Sequence, residues 1–334
     1  MKTPTMGQGL INARRVDVGS EEYHEIEAIS CSCLKRFDDD PEACYAEYIG
    51  RTAERKEKKC WTQGTRLERM ILFDEAPNVI LIPQDVLQVR RKANSEEVTY
   101  AKSGAPWNEW RERMIAEHGE DAALLKQEEY DSEIVPLLMA KDALMEHEAA
   151  AKLLWGASEP HVTVLATDVS TGIEMEAKCQ YDIVHSLGIL VDLKSAAAAH
   201  LKNIKSLMNH VLEFKYHWQS FWYKSLWFAL TGEELPFIFV FVESENKAGV
   251  TPKVVTLRID YDRITVDENG NKVTLPSEWM ELAESQWRQR MSEFAACKQS
   301  GIWKPVGYGR VIDLPCPRYA MTSWEDEIKA RVSK

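Results

Sequence analysis

Two carboxylates and an ammonium sit close together in the middle of the chain. Asp192 and Lys194 interrupt the apolar run of GILVDLK, residues 188–194, and Asp182 lies ten residues before Asp192 in QYDIV. In a strand, side chains alternate, so Asp192 and Lys194 share a face with Cα atoms ~6.6 Å apart while Leu193 points into the core. A short turn joins the two segments and brings Asp182 into the same neighbourhood. Converging carboxylates repel one another unless a cation sits between them. Hard oxygen ligands with open positions suit Mg²⁺ or Mn²⁺ rather than zinc. A lysine beside such an ion can hold an attacking water or neutralise charge developing on a phosphate. The chemistry that fits is metal-assisted phosphodiester hydrolysis. Taken bare, Asp-x-Lys is a surface ion pair; here it ends a buried strand, follows a strand with polar residues on one parity and precedes a helix rich in further candidates.

The elements that must hold these groups are legible in the periodicity. PHVTVLAT and EMEAKCQYDIV alternate as strands, the latter with Glu176, Lys178, Gln180 and Asp182 on one face and Ala177, Cys179, Tyr181 and Ile183 on the other. ILVDLK follows the turn SLG. One long helix is predicted over 201–230, with Ile204, Leu207, Met208, Val211, Trp218, Trp222 and Leu226 on its apolar side. PFIFVFVES and KVVTLRIDY read as strands, and a last helix as 277–299. Upstream, SCSCLKRFDDD, a segment after Pro41, WTQGTRLERMILFD and the stretch 133–156 read as helices. The expected fold is α/β: a central mixed sheet flanked by helices, with helical elaborations. Residues 1–22 read as a flexible arm, 23–322 as one domain with a helical insertion at 93–130 anchored by Trp107 and Trp110, and 323–334 as a tail.

Bulk properties restrict the options. The 334 residues carry a formal net charge of −12. Nevertheless RTAERKEKK, residues 51–59, has five basic residues against two acidic, VRRK follows at 89–92, and Lys202, Lys205, Lys215 and Lys224 punctuate the long helix. Because screening limits each charge to about 10 Å, an acidic chain can contain a locally basic channel. No apolar run approaches the roughly 20 residues of a membrane helix, and the N-terminus lacks a signal-peptide stretch, so a cytoplasmic location is expected. The seven cysteines form no C-x-x-C pair and read as reduced thiols. His200, His210 and His217 lack zincin spacing and are expected to face DNA or solvent. The aromatic run from Phe214 to Phe228 is expected to be mostly core. There is no Walker-type loop for a nucleotide-driven motor.

With these residues in place, the chain resembles the PD-(D/E)xK nucleases: Asp182, Asp192 and Lys194 match the signature, with Tyr181 where proline is common. KYHWQSFWY resembles the family's Q-x-x-x-Y helix motif, placing Gln219 and Tyr223 on one face one turn apart. YHEIEAISCSCLKRF resembles the S-x-S-x-L segment of RecE-type exonucleases, and SGIWKPVGYGRVIDLPCPRYA their closing segment. Where the RecE type has G-T-x-x-H, GTRLE puts Glu68, as in the phage lambda-type enzymes. The resemblance implies Glu68, Asp182, Asp192 and the Leu193 carbonyl as ligands of Mg²⁺ or Mn²⁺, two ions per site. It further implies Lys194 orienting water, and Gln219 and Tyr223 positioning the site and strand. Ser32, Lys35, Arg66, Lys178, Gln180 and Glu159 are candidate DNA contacts, Ser30, Ser32 and Lys35 lying at a helix start that suits either a terminal phosphate or an ordinary cap.

The implied activity is 5′-to-3′ degradation of one strand of duplex DNA from its ends, leaving 3′ overhangs for phage-type recombination. The implied assembly is a trimeric or tetrameric ring threaded by DNA, working with a single-strand annealing protein. Two rivals remain: another end-processing nuclease, such as those of CRISPR adaptation, and an idle DNA-binding scaffold of the same fold. The first expects iron–sulfur cysteines after the Q-x-x-x-Y helix, where only Cys297 and Cys316 follow.

Overall fold

The structure is a computed structural model describing residues 6–53, 59–91, 98–120, 122–156, 158–244, 250–266, 272–275 and 277–304. Six strands form one mixed sheet in sequential order: β1 (Leu10–Val16), β2 (Ser158–Asp168), β3 (Met175–His185), β4 (Ile189–Ala196), β5 (Phe237–Glu243) and β6 (Val254–Arg258). All neighbours are antiparallel except β4 and β5. A parallel pair needs a crossover connection, which the helices between β4 and β5 supply. β1 corrects the expectation of a flexible arm: residues 10–16 pair with β2, with a bulge between Ile11 and Arg14. The segment is short and charged, so its order comes from β2, whose edge it covers. The 323–334 tail and most of the closing segment lie outside the described residues.

Helices cover both faces. On one side α1 (Cys31–Asp39) packs against the sheet through Leu34, together with two of the C-terminal helices. On the other, α2 (Lys59–Leu72), α3 (Val135–Glu146) and α4 (Glu148–Leu154) bury Leu67, Leu137, Leu144 and Leu153 against Val191, Leu193, Val240 and Val242. β4 and β5 are therefore covered on both faces, which is why they read as nearly continuous apolar runs. Among the described residues no helix is long and apolar enough to cross a membrane.

The single helix expected over 201–230 is two helices, α5 (Ile204–Glu213) and α6 (Tyr216–Thr231). Lys215 between them is left-handed at φ 52°. Its ammonium lies 2.7 Å from Asp38 and 2.6 Å from Asp39 at the end of α1, which holds the break. Consequently the apolar stripe splits: Leu207 and Val211 are buried, but Ile204 and Met208 are exposed. α6 and α7 (Glu278–Ser300) complete the first face, with the Trp222 and Trp287 rings stacked at 4.4 Å.

Residues 79–125 form a satellite rather than a purely helical insertion. Val79–Leu81 pairs in parallel with Ala123–Leu125, Gln88–Arg91 pairs with Val98–Ala101, and the helix Ala105–His118 packs alongside. Trp107 and Trp110 do anchor it, sharing a small core with Ile82 and Leu87. The free thiols of Cys31, Cys33, Cys44 and Cys179 are buried.

Candidate active site

The pairing of β3 with β4 runs through Ile183↔Val191, Val184↔Leu190 and His185↔Ile189. The next step would set Asp182 opposite Asp192, and there the ladder stops. β2 is irregular at the same level: Pro160 pairs with Ile183 and Val162 with Tyr181, leaving His161 between them at φ 52°. The phase of β3 changes across this point, because Met175, Ala177, Cys179 and Tyr181 face the α6 side whereas Ile183 faces the α2 side. This corrects the uniform alternation expected for the strand. An unpaired strand edge would strand buried backbone groups, and the Asp182 carboxylate meets that need by accepting the Leu193 N–H at 2.7 Å. A strand residue presents its N–H and C=O to the same neighbour, so the Leu193 carbonyl faces the same gap.

Asp192 is 1% exposed and fixed from both sides. Gln219, buried in α6, donates its amide to Asp192 Oδ1 at 2.5 Å. The Lys194 ammonium lies 2.5 Å from Oδ2, yet not aligned as a hydrogen bond, so that oxygen has no hydrogen-bond partner. Glu68 arrives from α2, which passes β4 at Gly64, one turn earlier, where even an added Cβ would make only ordinary contact with the Ser195 hydroxyl at 3.7 Å. The glutamate accepts from, or donates to, His161 Nε2 at 2.5 Å according to the ring's tautomer.

The electrostatics confirm the convergence. Burial raises the Asp182 carboxyl well above the usual carboxylate range, and the negative charge of Asp192, with a smaller share from Glu68, adds to that rise. Burial likewise raises Asp192, with Lys194 opposing it. Burial would lower Lys194, but Asp192 and Asp182 hold its ammonium above the ordinary lysine value. Burial lowers Lys35, and the neighbouring Lys194 charge adds to the effect.

The other expected residues divide. Lys35 is near the site, with its ammonium 5.3 Å over the Tyr216 ring. Ser32 is exposed in the first turn of α1, while Ser30 is an ordinary cap accepting from Cys33 N–H. Tyr223 stands behind the site as packing: its ring meets Tyr181 and Phe237, and its carbonyl accepts the Tyr181 hydroxyl at 2.8 Å. Lys178 is no DNA contact; it is buried, donating to the carbonyls of Tyr23 and Ile26. Gln180 donates to Thr163 across the β2–β3 pair, Arg66 pairs with Glu133, and Glu159 pairs with Arg15. His210 and His217 are buried rather than facing DNA or solvent. Of the basic knot at 51–59, residues 54–58 lie outside the described residues. The residue missed by sequence reasoning is His161; only its polar character inside an apolar strand signalled it.

A divalent cation fits this set on the structure's own terms. Asp192 Oδ2 is a buried oxygen with no aligned hydrogen bond, held only by its ion pair with Lys194, Asp182 is raised by burial and then by the charge of Asp192, and all the donors are hard oxygens. Glu68, Asp182, Asp192 and the Leu193 carbonyl are the residues that would hold it.

Comparison with known proteins agrees with this geometry. A family model described as "PDDEXK-like domain of unknown function (DUF3799)" matches residues 103–299. No curated protein matches. Among solved structures, a protein of Eubacterium rectale described as a "Putative exonuclease" is similar over 92% of this chain and 98% of its own, at 15% identity and a TM-score of 0.53, a likeness of fold. A second, SSO0001, has 12% identity over 82% of this chain and 87% of its own, at a TM-score of 0.25 that adds no argument. The family match holds Asp182, Asp192, Lys194 and Gln219, and Glu68 falls before it. Spanning more than half of the sequence and all but one side-chain member of the carboxylate site, it shows that the chain belongs to the PDDEXK-like domain family.

Proposed function

We propose that the protein is a divalent-metal-dependent nuclease that degrades duplex DNA from its ends, one strand in the 5′-to-3′ direction, as RecE- and lambda-type enzymes do. The observation that carries the reading is the break in the β3–β4 ladder, which turns Asp182 toward Asp192 beside Lys194 and within electrostatic reach of Glu68. When bound, Mg²⁺ or Mn²⁺ supplies Lewis acidity toward the phosphate and lowers the pKa of a water. Gln219 keeps the Asp192 carboxylate in one orientation, and Lys194 holds the attacking water. Lys35, near Lys194 and the carboxylates with its ammonium over the Tyr216 ring, is placed to meet the phosphate backbone near the scissile bond. The name of the Eubacterium rectale relative supports exonuclease over endonuclease. A ring of three or four copies around DNA and a single-strand annealing partner follow from the RecE-type resemblance.

The test is digestion of end-labelled linear duplex and of closed circles with Mg²⁺ or Mn²⁺. Linear DNA should shorten from its 5′ ends while circles persist, and Lys194→Ala should lose about 10²–10⁴-fold in rate, the span of a positioned proton-transfer or electrostatic group. Circles lost as fast as linear DNA would overturn the exonuclease claim, and an unimpaired Lys194→Ala protein would overturn the site.

A further inference from the structure

A second cluster of ligating side chains lies beyond the end of β4. His200 sits in the turn that follows the Asp-x-Lys strand, where its N–H donates to the Ala197 carbonyl at 3.0 Å. His210 and Glu213 sit on the last turns of α5. One potential ligand atom from each of the three lies within 4.8 Å of the others. The two imidazoles stack at 4.2 Å with planes 21° apart.

His210 is the informative member. It is 2% exposed, and neither ring nitrogen has a hydrogen-bond partner. Phe214, Tyr216 and Phe241 wall it in with ring faces and edges and offer no polar atom at that distance. A buried imidazole with two unmatched nitrogens is unfavourable as it stands. Burial, then the neighbouring His200, pulls its pKa down to about 4, which leaves the ring neutral with a free lone pair. A nitrogen of each imidazole and a carboxylate oxygen lie within 4.8 Å of one another, and the half-buried His200 ring has to turn out of its stack for both in-plane lone pairs to meet one ion. An anion would meet the Glu213 charge, whereas a metal ion would satisfy all three groups.

We propose that His200, His210 and Glu213 form a metal site separate from the Asp182–Asp192 carboxylates, selective for a borderline transition ion of the zinc class. Two nitrogens and one oxygen suit Zn²⁺ and disfavour Mg²⁺. Ligand atoms around a tetrahedral zinc lie about 3.4 Å apart. Half-buried His200 and exposed Glu213 are placed to close the present spread around the fixed His210. The bound ion ties the turn after β4 to the end of α5. Tyr216, whose ring packs against His210, borders the carboxylate site: it lies under Lys35, and its phenol is pushed up to about 12 by burial, with Lys194 opposing and Asp192 adding to the rise. The site is therefore a staple beside the carboxylates, and its existence is independent of whether the chain cuts DNA.

The full chain, stripped with chelator, loaded with excess Zn²⁺ and dialysed into metal-free buffer, gives the measurement: zinc per chain by elemental analysis, and the visible absorption of the Co²⁺-substituted form. His200→Gln and Glu213→Gln alter accessible groups, with the fold checked by circular dichroism, and Asp192→Asn disables the carboxylate site. One zinc per chain is expected in the wild type and in Asp192→Asn, with at least tenfold weaker retention in both His200→Gln and Glu213→Gln. Zinc should also raise the melting temperature of the first pair and not of the second. No zinc retained by the wild type, equal retention in all four proteins, or loss confined to Asp192→Asn would each overturn the proposal.

Discussion

Asp182 closes a gap in the backbone ladder and also bears a charge that its surroundings oppose. Its carboxyl is raised by burial and by Asp192, so the folded protein holds that proton more tightly than the unfolded chain does. The associated stability is complete below the unfolded value, about 3.9, and is lost as pH rises through the higher folded value. An asparagine keeps an oxygen for the Leu193 N–H and removes the charge. Metal-free Asp182→Asn should therefore melt higher than the wild type at pH 8, by about 2–4 °C if the gain is near 1 kcal/mol, and the advantage should shrink toward pH 4. The same variant should lose most of its nuclease rate. Parallel thermal scans at the two pH values check this, and a wild type that gains stability on alkalinisation would contradict the assignment.

At the scale of elements, two contacts are decisive for holding the framework. Gly156, between α4 and β2, leaves no room for a side chain: a Cβ there would meet the Lys152 carbonyl at 2.7 Å and the His185 ring at 2.3 Å. Gly156→Ala should cost about 1–3 kcal/mol, read as a lower denaturant midpoint. On α6, Lys224 pairs at 2.6 Å with Asp260, which also accepts the Phe237 N–H at the start of β5. Both partners are buried. Lys224→Met would leave that carboxylate with Arg258 as its remaining cation and the Phe237 N–H, and should cost about 3 kcal/mol; a loss within error of zero would show that these suffice. These cases also explain what could be read beforehand. Alternation located β2 and β3, and apolar runs bounded by turns located β4 and β5 and hence Asp192 and Lys194, because a sheet buried on one face or on both leaves its pattern in the sequence. The α5–α6 break was hidden, since Lys215 is left-handed on account of Asp38 and Asp39, about 176 residues away in the chain. Likewise, nothing in EMEAKCQYDIV announces that its phase changes at Asp182; that depends on His161 in the neighbouring strand. Lys178 and Lys224, which looked like cations for DNA, are consumed by internal partners that only the fold brings near.

For the whole molecule, the net charge of −12 must be reconciled with a polyanionic substrate. The acidic excess is no barrier if the cations that meet DNA act locally, since screening confines each to about 10 Å. Lys35 is the candidate proposed for this role: it stands near the carboxylates and has no salt-bridge partner among the described residues. Every phosphate neutralised contributes about −0.9 to the slope of log affinity against log salt. Binding of an Asp192→Asn protein, which should not cut, to a linear duplex can be followed across a salt series. Lys35→Gln in that background should weaken binding and make the slope shallower by about one, while Lys178→Gln, whose ammonium is spent on the carbonyls of Tyr23 and Ile26, should leave the slope unchanged in whatever fraction stays folded. Equal slopes for the Lys35→Gln and parent proteins would mean that the DNA does not pass Lys35, and would place the duplex on another approach to the same carboxylates.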